Sequence, residues 1–369
     1  MSSTTMRGIL RASAALAVLA LGAAACGDDD DGDAATTTTT TAGGSTTTTE
    51  AAGDGGCTPA SPAAEVRQAG TFSLLGLPVF VADSEGFFEE NGIELTITEV
   101  PGGPAAATAL LAGDADVMIN APDSVLLAHE QGQPLKIIGA LTVRGVNTIL
   151  VQEDFPTPNL AAGYPEVMKD LEGSTVGVTQ LGSAAENFFR LLATDAGMDP
   201  DADFTFVAVG LANTALPAFQ QRQIDVWMGF EPGTSMALHQ LGFAKSVVDF
   251  RDGEGPDALV DYSPNILATT QDFIDDQPEV VACYVDAVRQ AQEWIQDPAN
   301  RDALDDLVVD GLKLDAGLLP GLIDDNLEVF GTDVPVDNIQ NAIDYLTEFG
   351  LLKNPVTYED VVATEYVDG

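Results

Sequence analysis

The stretch Leu77-Pro-Val-Phe-Val-Ala-Asp-Ser-Glu-Gly-Phe-Phe-Glu-Glu-Asn-Gly92, continued by Ile93-Glu-Leu-Thr-Ile-Thr-Glu-Val100 and then by Gly102-Gly103-Pro104, sets the reading of the chain. Pro78 suits the first turn of a helix, where the N–H it lacks would have no intrahelical partner. Residues 93–100 are rich in β-branched side chains and read as a strand. The paired glycines let the backbone turn and approach a ligand closely. The same alternation extends outward. Strands are expected at 71–75, 93–100, 116–120 and 135–141, then at 175–179, 204–210, 224–230 and 245–250. Helix-like stretches lie between them at 104–112, 122–131, 184–196 and 214–222. This alternation predicts an α/β fold with mainly parallel sheets flanked by helices. After Pro264 the pattern turns helical, at 278–296, 303–312, 318–328 and 336–349.

Two α/β series in tandem imply two lobes. Extended segments at 143–152 and 264–270 border the second series and read as crossovers. The expected division is residues 66–143 as the first part of lobe 1, 144–264 as lobe 2, and 265–369 as the rest of lobe 1 with a helical tail. Two lobes joined by two strands form a hinge with a cleft. Open α/β sheets hold ligands beyond the carboxyl ends of their strands, at helix N-termini.

The first 25 residues have the layout of a secretory signal: Arg7 and Arg11, a short apolar run from Ala12, and small residues before Cys26. Cys26 resembles the lipidated cysteine of bacterial lipoproteins. Residues 26–65, rich in Asp, Thr, Ala and Gly, have little to bury and read as a disordered tether. The expectation is an exported protein, lipid-anchored to the outer face of the cell membrane. In that oxidising setting Cys57 and Cys283 form a candidate disulfide; two unrelated cysteines are the alternative. Across 369 residues, 58 Asp and Glu face 14 Lys and Arg, a net charge of -44 that repels nucleic acid. A hydrophobic fraction of 45% nevertheless supplies a large core.

Leu77–Gly92 with the following strand and Gly102-Gly103 resembles the opening of the nitrate/sulfonate/taurine and thiamine-precursor-type solute-binding proteins of ABC importers. Leu110-Leu-Ala-Gly-Asp-Ala-Asp-Val117 is similar to that family's L-x-x-G-x-x-D segment. Leu171-Glu-Gly-Ser-Thr-Val-Gly-Val178 is similar to its L-K-G-K-x-V-G-V strand. Gln223-Ile-Asp-Val-Trp227 matches more loosely, with Gln223 where the family usually has Gly. The resemblance implies the type II periplasmic-binding-protein fold, closure on a small-molecule ligand, delivery to an ABC permease with its ATPase, and a monomer. No cofactor is expected, and His129 and His239, late in expected helices, read as structural or surface residues with no metal site.

Candidate ligand contacts lie in the loops after the strands: Gly76, Leu77 and Pro78; Gly102 and Gly103; Asn120 and Ala121. Asp123 or Ser124 caps the next helix in the plainer reading. In lobe 2 the candidates are Gln180, Gly182, Ser183, Ala184, Asn213, Phe230 and Glu231. Ser183 with Glu186 reads as a capping box, and Asn213 as the N-cap of the following helix. Glu231 either meets an amine on the ligand or caps the helix that Pro232 begins. No G-x-S-x-G, H-E-x-x-H, C-x-x-C or Gly-Lys phosphate loop occurs, so the expectation is a binding protein without catalysis. The alternatives are a tethered sensor without transport and a pyrimidine-precursor-synthesising enzyme on the same fold.

Overall fold

The strand expected over 71–75 is displaced toward the N-terminus. In a computed structural model, which describes residues 57–70, 74–312, 317, 319–324 and 326–367, β1 is Ala64–Gly70 and Leu74–Gly76 is a 3₁₀ turn. The signal-like segment, Cys26 and the Thr-rich part of the tether lie outside the described residues. β1 pairs with β2 (Ile93–Glu99) through all seven of its residues, from Ala64 opposite Ile93 to Gly70 opposite Glu99. That long parallel ladder outweighs the weak strand preference of the sequence Ala-Glu-Val-Arg-Gln-Ala-Gly. The folded body therefore begins within the stretch expected as tether.

Two five-stranded sheets follow. The first also contains β3 (Val117–Asn120), β4 (Leu135–Ala140) and, far along the chain, β10 (Ile266–Thr270), in the order β2-β1-β3-β10-β4. The second has the order β7-β6-β8-β5-β9, with β5 at Thr148–Gln152, β6 at Thr175–Val178 and β7 at Thr205–Ala208. Its remaining strands are β8 (Val226–Gly229) and β9 (Ala244–Asp249). Within each sheet one strand runs against the others. β10 is antiparallel to β3 and β4, and β5 is antiparallel to β8 and β9. The chain thus leaves the first sheet after β4 and returns to it with β10. All residues of β3, β5 and β8 are buried, as strands covered on both faces require.

Helices cover the sheets. α1 (Leu77–Ser84), α2 (Gly103–Leu111) and α3 (Pro122–Glu130) each place a proline in their first turn. α4 (Ala184–Asp195) buries Phe188, Phe189, Leu191 and Leu192. α5 (Ala212–Gln220) starts one residue before the expected cap, so Leu211 is its N-cap and Asn213 sits exposed inside its first turn. α6 (Pro278–Gln296) packs on α1 and on the first sheet, and α7 (Val336–Glu348) closes against α3.

Two interactions tie distant segments together. A disulfide joins Cys57, ahead of β1, to Cys283 in α6, and the Cys57 N–H donates to Asp286 Oδ2 at 2.9 Å. In the second sheet Arg251, just beyond β9, pairs with Asp249 and with Glu231, just beyond β8, both at 2.7 Å. Glu231 is fully buried; it also accepts the Ser235 N–H at 3.0 Å and the Ser235 hydroxyl at 2.9 Å. Burial works against the Arg251 charge, yet Asp249 and Glu231 hold the guanidinium above its ordinary pKa.

Reduction of the Cys57–Cys283 bond, which closes a loop of 226 residues, should cost about 2–4 kcal/mol of stability, read as a lower thermal midpoint in reductant. Glu231→Ala leaves Arg251 with Asp249 alone and takes the partner from the Ser235 N–H and hydroxyl, and should cost about 1–3 kcal/mol in denaturant unfolding. An unchanged midpoint would remove Glu231 from the support of the sheet.

Candidate functional site

The carboxyl ends of the two sheets face a cavity of about 80 Å³. Its wall on the side of the first sheet comes from Leu75, Gly102, Gly103, Ile119, Asn120 and Ala121. Opposite stand Thr179, Ser183, Ala184, Ala185, Phe188 and Phe230. Asn147, Pro264 and Asn265 come from the two passages between the sheets.

Of the residues singled out in the sequence, Gly102, Gly103, Asn120, Ala121, Ser183, Ala184 and Phe230 meet around this space. The 3₁₀ turn brings Leu75 there. Gly76 lines a separate small recess beside Gln68 and Phe80, while Leu77 and Pro78 are packed into the body of the first lobe. Gln180 lies beside the cavity: a Cβ on Gly102 would stand 3.1 Å from both its Cβ and its Oε1, so the two lobes touch here. Gly182 holds a left-handed φ of 78° and gives its N–H to Glu186. Asn213 and Glu231 are outside the lining, the first exposed and the second committed to Arg251 and Ser235.

Close approach explains Gly103. A Cβ there would come within 2.1 Å of Asn120 Oδ1, so only glycine lets the start of α2 meet the end of β3. Asn120 fastens this corner. Its amide donates to the Gly103 carbonyl at 2.8 Å and to Ser124 Oγ at 2.6 Å, and its oxygen accepts the Ala121 N–H at 2.8 Å. Both amide protons are used, so Asn120 shapes the wall more than it offers donors.

The capping box expected at Ser183 does not form. Ser183 is the N-cap of α4, but its hydroxyl makes no cap bond and is buried without a partner. Glu186 instead accepts the Gly182 N–H at 2.7 Å and pairs with Arg190 at 2.8 Å. A lost local bond here leaves a polar group bordering the cavity. Asn265 is similar: its Nδ2 is buried and unpartnered. Such groups are costly unless something fills them.

Asn147 and Asn265 escape the sequence reading because each depends on an antiparallel strand. β5 begins beside the end of β8, with Thr148 opposite Gly229, and β10 begins beside the end of β3, with Ile266 opposite Asn120. The residue preceding each strand is thereby delivered to the cavity. The visible signal is an Asn directly before each crossover strand.

No Asp, Glu, Lys, Arg or His lines the cavity among the described residues. Arg144 is exposed, and Arg190 is paired with Glu186 and Asp201. Behind the lining sits the buried carboxyl of Asp123, in the first turn of α3. It is no helix cap: it accepts from Tyr262 and Asn187, and burial raises its pKa above the ordinary value against those bonds.

Comparison with known proteins agrees with this architecture. YtlA of Bacillus subtilis (strain 168) is 22% identical over 238 residues, covering 64% of this chain and 67% of YtlA. The 4-amino-5-hydroxymethyl-2-methylpyrimidine phosphate synthase of Schizosaccharomyces pombe is 29% identical over 156 residues, 42% of this chain and 41% of that enzyme. The chain thus spans between about two fifths and two thirds of the curated relatives' lengths. The alkanesulfonate-binding protein SsuA from Xanthomonas axonopodis pv. citri, bound to MOPS, superposes with a TM-score of 0.67 at 20% identity, covering 82% of this chain and 99% of SsuA. That likeness shows the fold, the α/β architecture of two sheets flanked by helices found in periplasmic binding proteins. A family model described as NMT1/THI5 like matches residues 76–300, from the turn ahead of α1 through α6, and the chain belongs to that family.

Proposed function

We propose that the chain is the extracytoplasmic solute-binding component of an ABC importer, trapping a small polar organic solute between its lobes and presenting it to a permease. The lobes are taken as 66–143 with 265–369, and 144–264. The observation that carries this reading is the cavity between the sheets, with the unpartnered Ser183 hydroxyl and Asn265 amide at its edge. A solute with acceptor atoms answers both groups, and the free N–H groups of Ala184 and Ala185 at the start of α4 add to them. Phe230 and Phe188 supply flat apolar surface.

The lining favours an uncharged solute. A tightly held sulfonate or nitrate calls for a cationic side chain in the wall, and none is present among the described residues. Glu186 further offsets the positive end of α4. A compound resembling the thiamine pyrimidine precursor therefore fits better than taurine, an alkanesulfonate or nitrate. The synthase relative supports an enzymatic reading of the same cavity. Against it stands the absence of any acid, base or nucleophilic carboxylate, lysine or cysteine from the described lining. Lipidation of Cys26, a tether leading to the fold, and action as a monomer complete the proposal. No helix among the described residues is long and apolar enough to cross a membrane.

A thermal-shift panel of hydroxymethylpyrimidine, taurine, an alkanesulfonate and nitrate tests this. A solute at a hundredfold its Kd stabilises the protein by about 2.7 kcal/mol. Stabilisation by the pyrimidine alone is the expected result; stabilisation by an anion alone would overturn the uncharged reading, and turnover of the bound compound would overturn the non-catalytic one. Ser183→Ala should weaken binding about three- to tenfold, one hydrogen bond's worth. The same change should leave the unliganded protein as stable or more so, because it deletes an unsatisfied buried hydroxyl.

A further inference from the structure

Asp123 is buried to 1% exposure, and its two oxygens are held from two different directions. Tyr262 Oη donates to Oδ1 at 2.5 Å, and Asn187 Nδ2 donates to Oδ2 at 2.9 Å. Asp123 belongs to α3 on the first sheet, Asn187 to α4 on the second, and Tyr262 to the returning passage ahead of β10. Each lies within three residues of the cavity wall: Asp123 follows Ala121, Asn187 precedes Phe188, and Tyr262 precedes Pro264 and Asn265. Phe188 stands edge-on to Tyr262 at 4.8 Å between ring centres, and Tyr345 of α7 packs against both at 6.2 Å. These rings keep water from the carboxyl group.

We propose that Asp123 is a positioning residue that latches the two lobes together behind the cavity, so that the wall for the solute is assembled before the solute arrives. A buried carboxyl group tolerates its site only while both oxygens are satisfied. The Asn187 bond exists only when α4 lies against α3. Separating the lobes removes it and exposes an apolar ring cluster, so the closed arrangement carries its own stabilisation. Binding then needs less conformational ordering from the solute. The inference rests on the two-lobe reading above and is independent of which solute is bound.

Distances between spin labels on unnatural residues at Leu111 and Leu241, both exposed and on different lobes, read the arrangement in the ligand-free full chain. The wild-type protein should give one short population. Asn187→Leu, which deletes the donor but keeps the bulk, should raise the ratio of open to closed molecules about five- to tenfold. Tyr262→Phe should act in the same direction and serves if the first variant folds poorly. Asn187→Gln, which restores a donor, should recover part of the closed population. A variant that lowers the unfolding midpoint yet leaves the label distances unchanged would make the cluster a structural network and overturn the latch. Shifted distances with no solute found in any screen would leave the latch standing while the transport reading falls.

Discussion

The molecule depends on two strands that run against the grain of their sheets. β5 and β10 are the only antiparallel members among the described strands, and each enters between neighbours whose carboxyl ends already point at the cleft. An antiparallel strand starts where its parallel neighbours stop. The chain therefore arrives in each sheet at the cavity and leaves it on the far side. This one constraint makes the two passages part of the site, and it explains why Asn147 and Asn265 occupy matching positions in the two lobes. It also divides their chemistry. The Asn147 amide reaches the Gly229 carbonyl at 3.4 Å, whereas the Asn265 amide finds no partner.

The fold is largely legible in the sequence, since βα alternation is a local signal and each strand of the second series falls close to its expected place. Residues 224–230, for example, contain β8 in full. The exceptions are nonlocal. β1 is written in a run of Ala, Glu, Arg and Gln with little strand preference, and only its ladder with β2 places it. The start of α5 moves by a turn boundary that no residue type marks, which takes Asn213 out of the cap.

The site is legible at its glycines and less so at its polar groups. Gly103 is required by contact with Asn120, and a paired glycine in a βα turn announces that kind of contact. Ser183 and Glu186 satisfy the spacing of a capping box, but Gly182 adopts a left-handed conformation and turns its own N–H toward Glu186. Arg190, one turn further on, takes the other oxygen. Spacing along a helix cannot reveal that a neighbour outcompetes the cap. Glu231 illustrates the same limit at longer range, because Arg251 lies 20 residues away and meets it only through the pairing of β5 with both β8 and β9.

Charge is then arranged in opposite senses outside and inside. A chain with a net charge of -44 keeps ionisable groups out of the described lining and commits the carboxyls nearest to it to partners: Asp123 to Tyr262 and Asn187, Glu186 to Gly182 and Arg190, Glu231 to Ser235 and Arg251. An acidic exterior lowers the local concentration of anions only over about 8 Å at physiological ionic strength. It cannot by itself select a solute held between the lobes. Selection falls to the short-range groups: the Ser183 hydroxyl, which donates or accepts, the Asn265 amide and the backbone N–H groups at the start of α4, which donate, and the unpartnered Gln180 Oε1 beside the cavity, which accepts. Gln180 Oε1 and the Ser183 hydroxyl can still accept from a neutral amino group. No carboxylate stands in the described wall to meet a full positive charge, so within the cavity the lining argues for a neutral solute with acceptor atoms more strongly than the acidity of the whole chain argues for a cation.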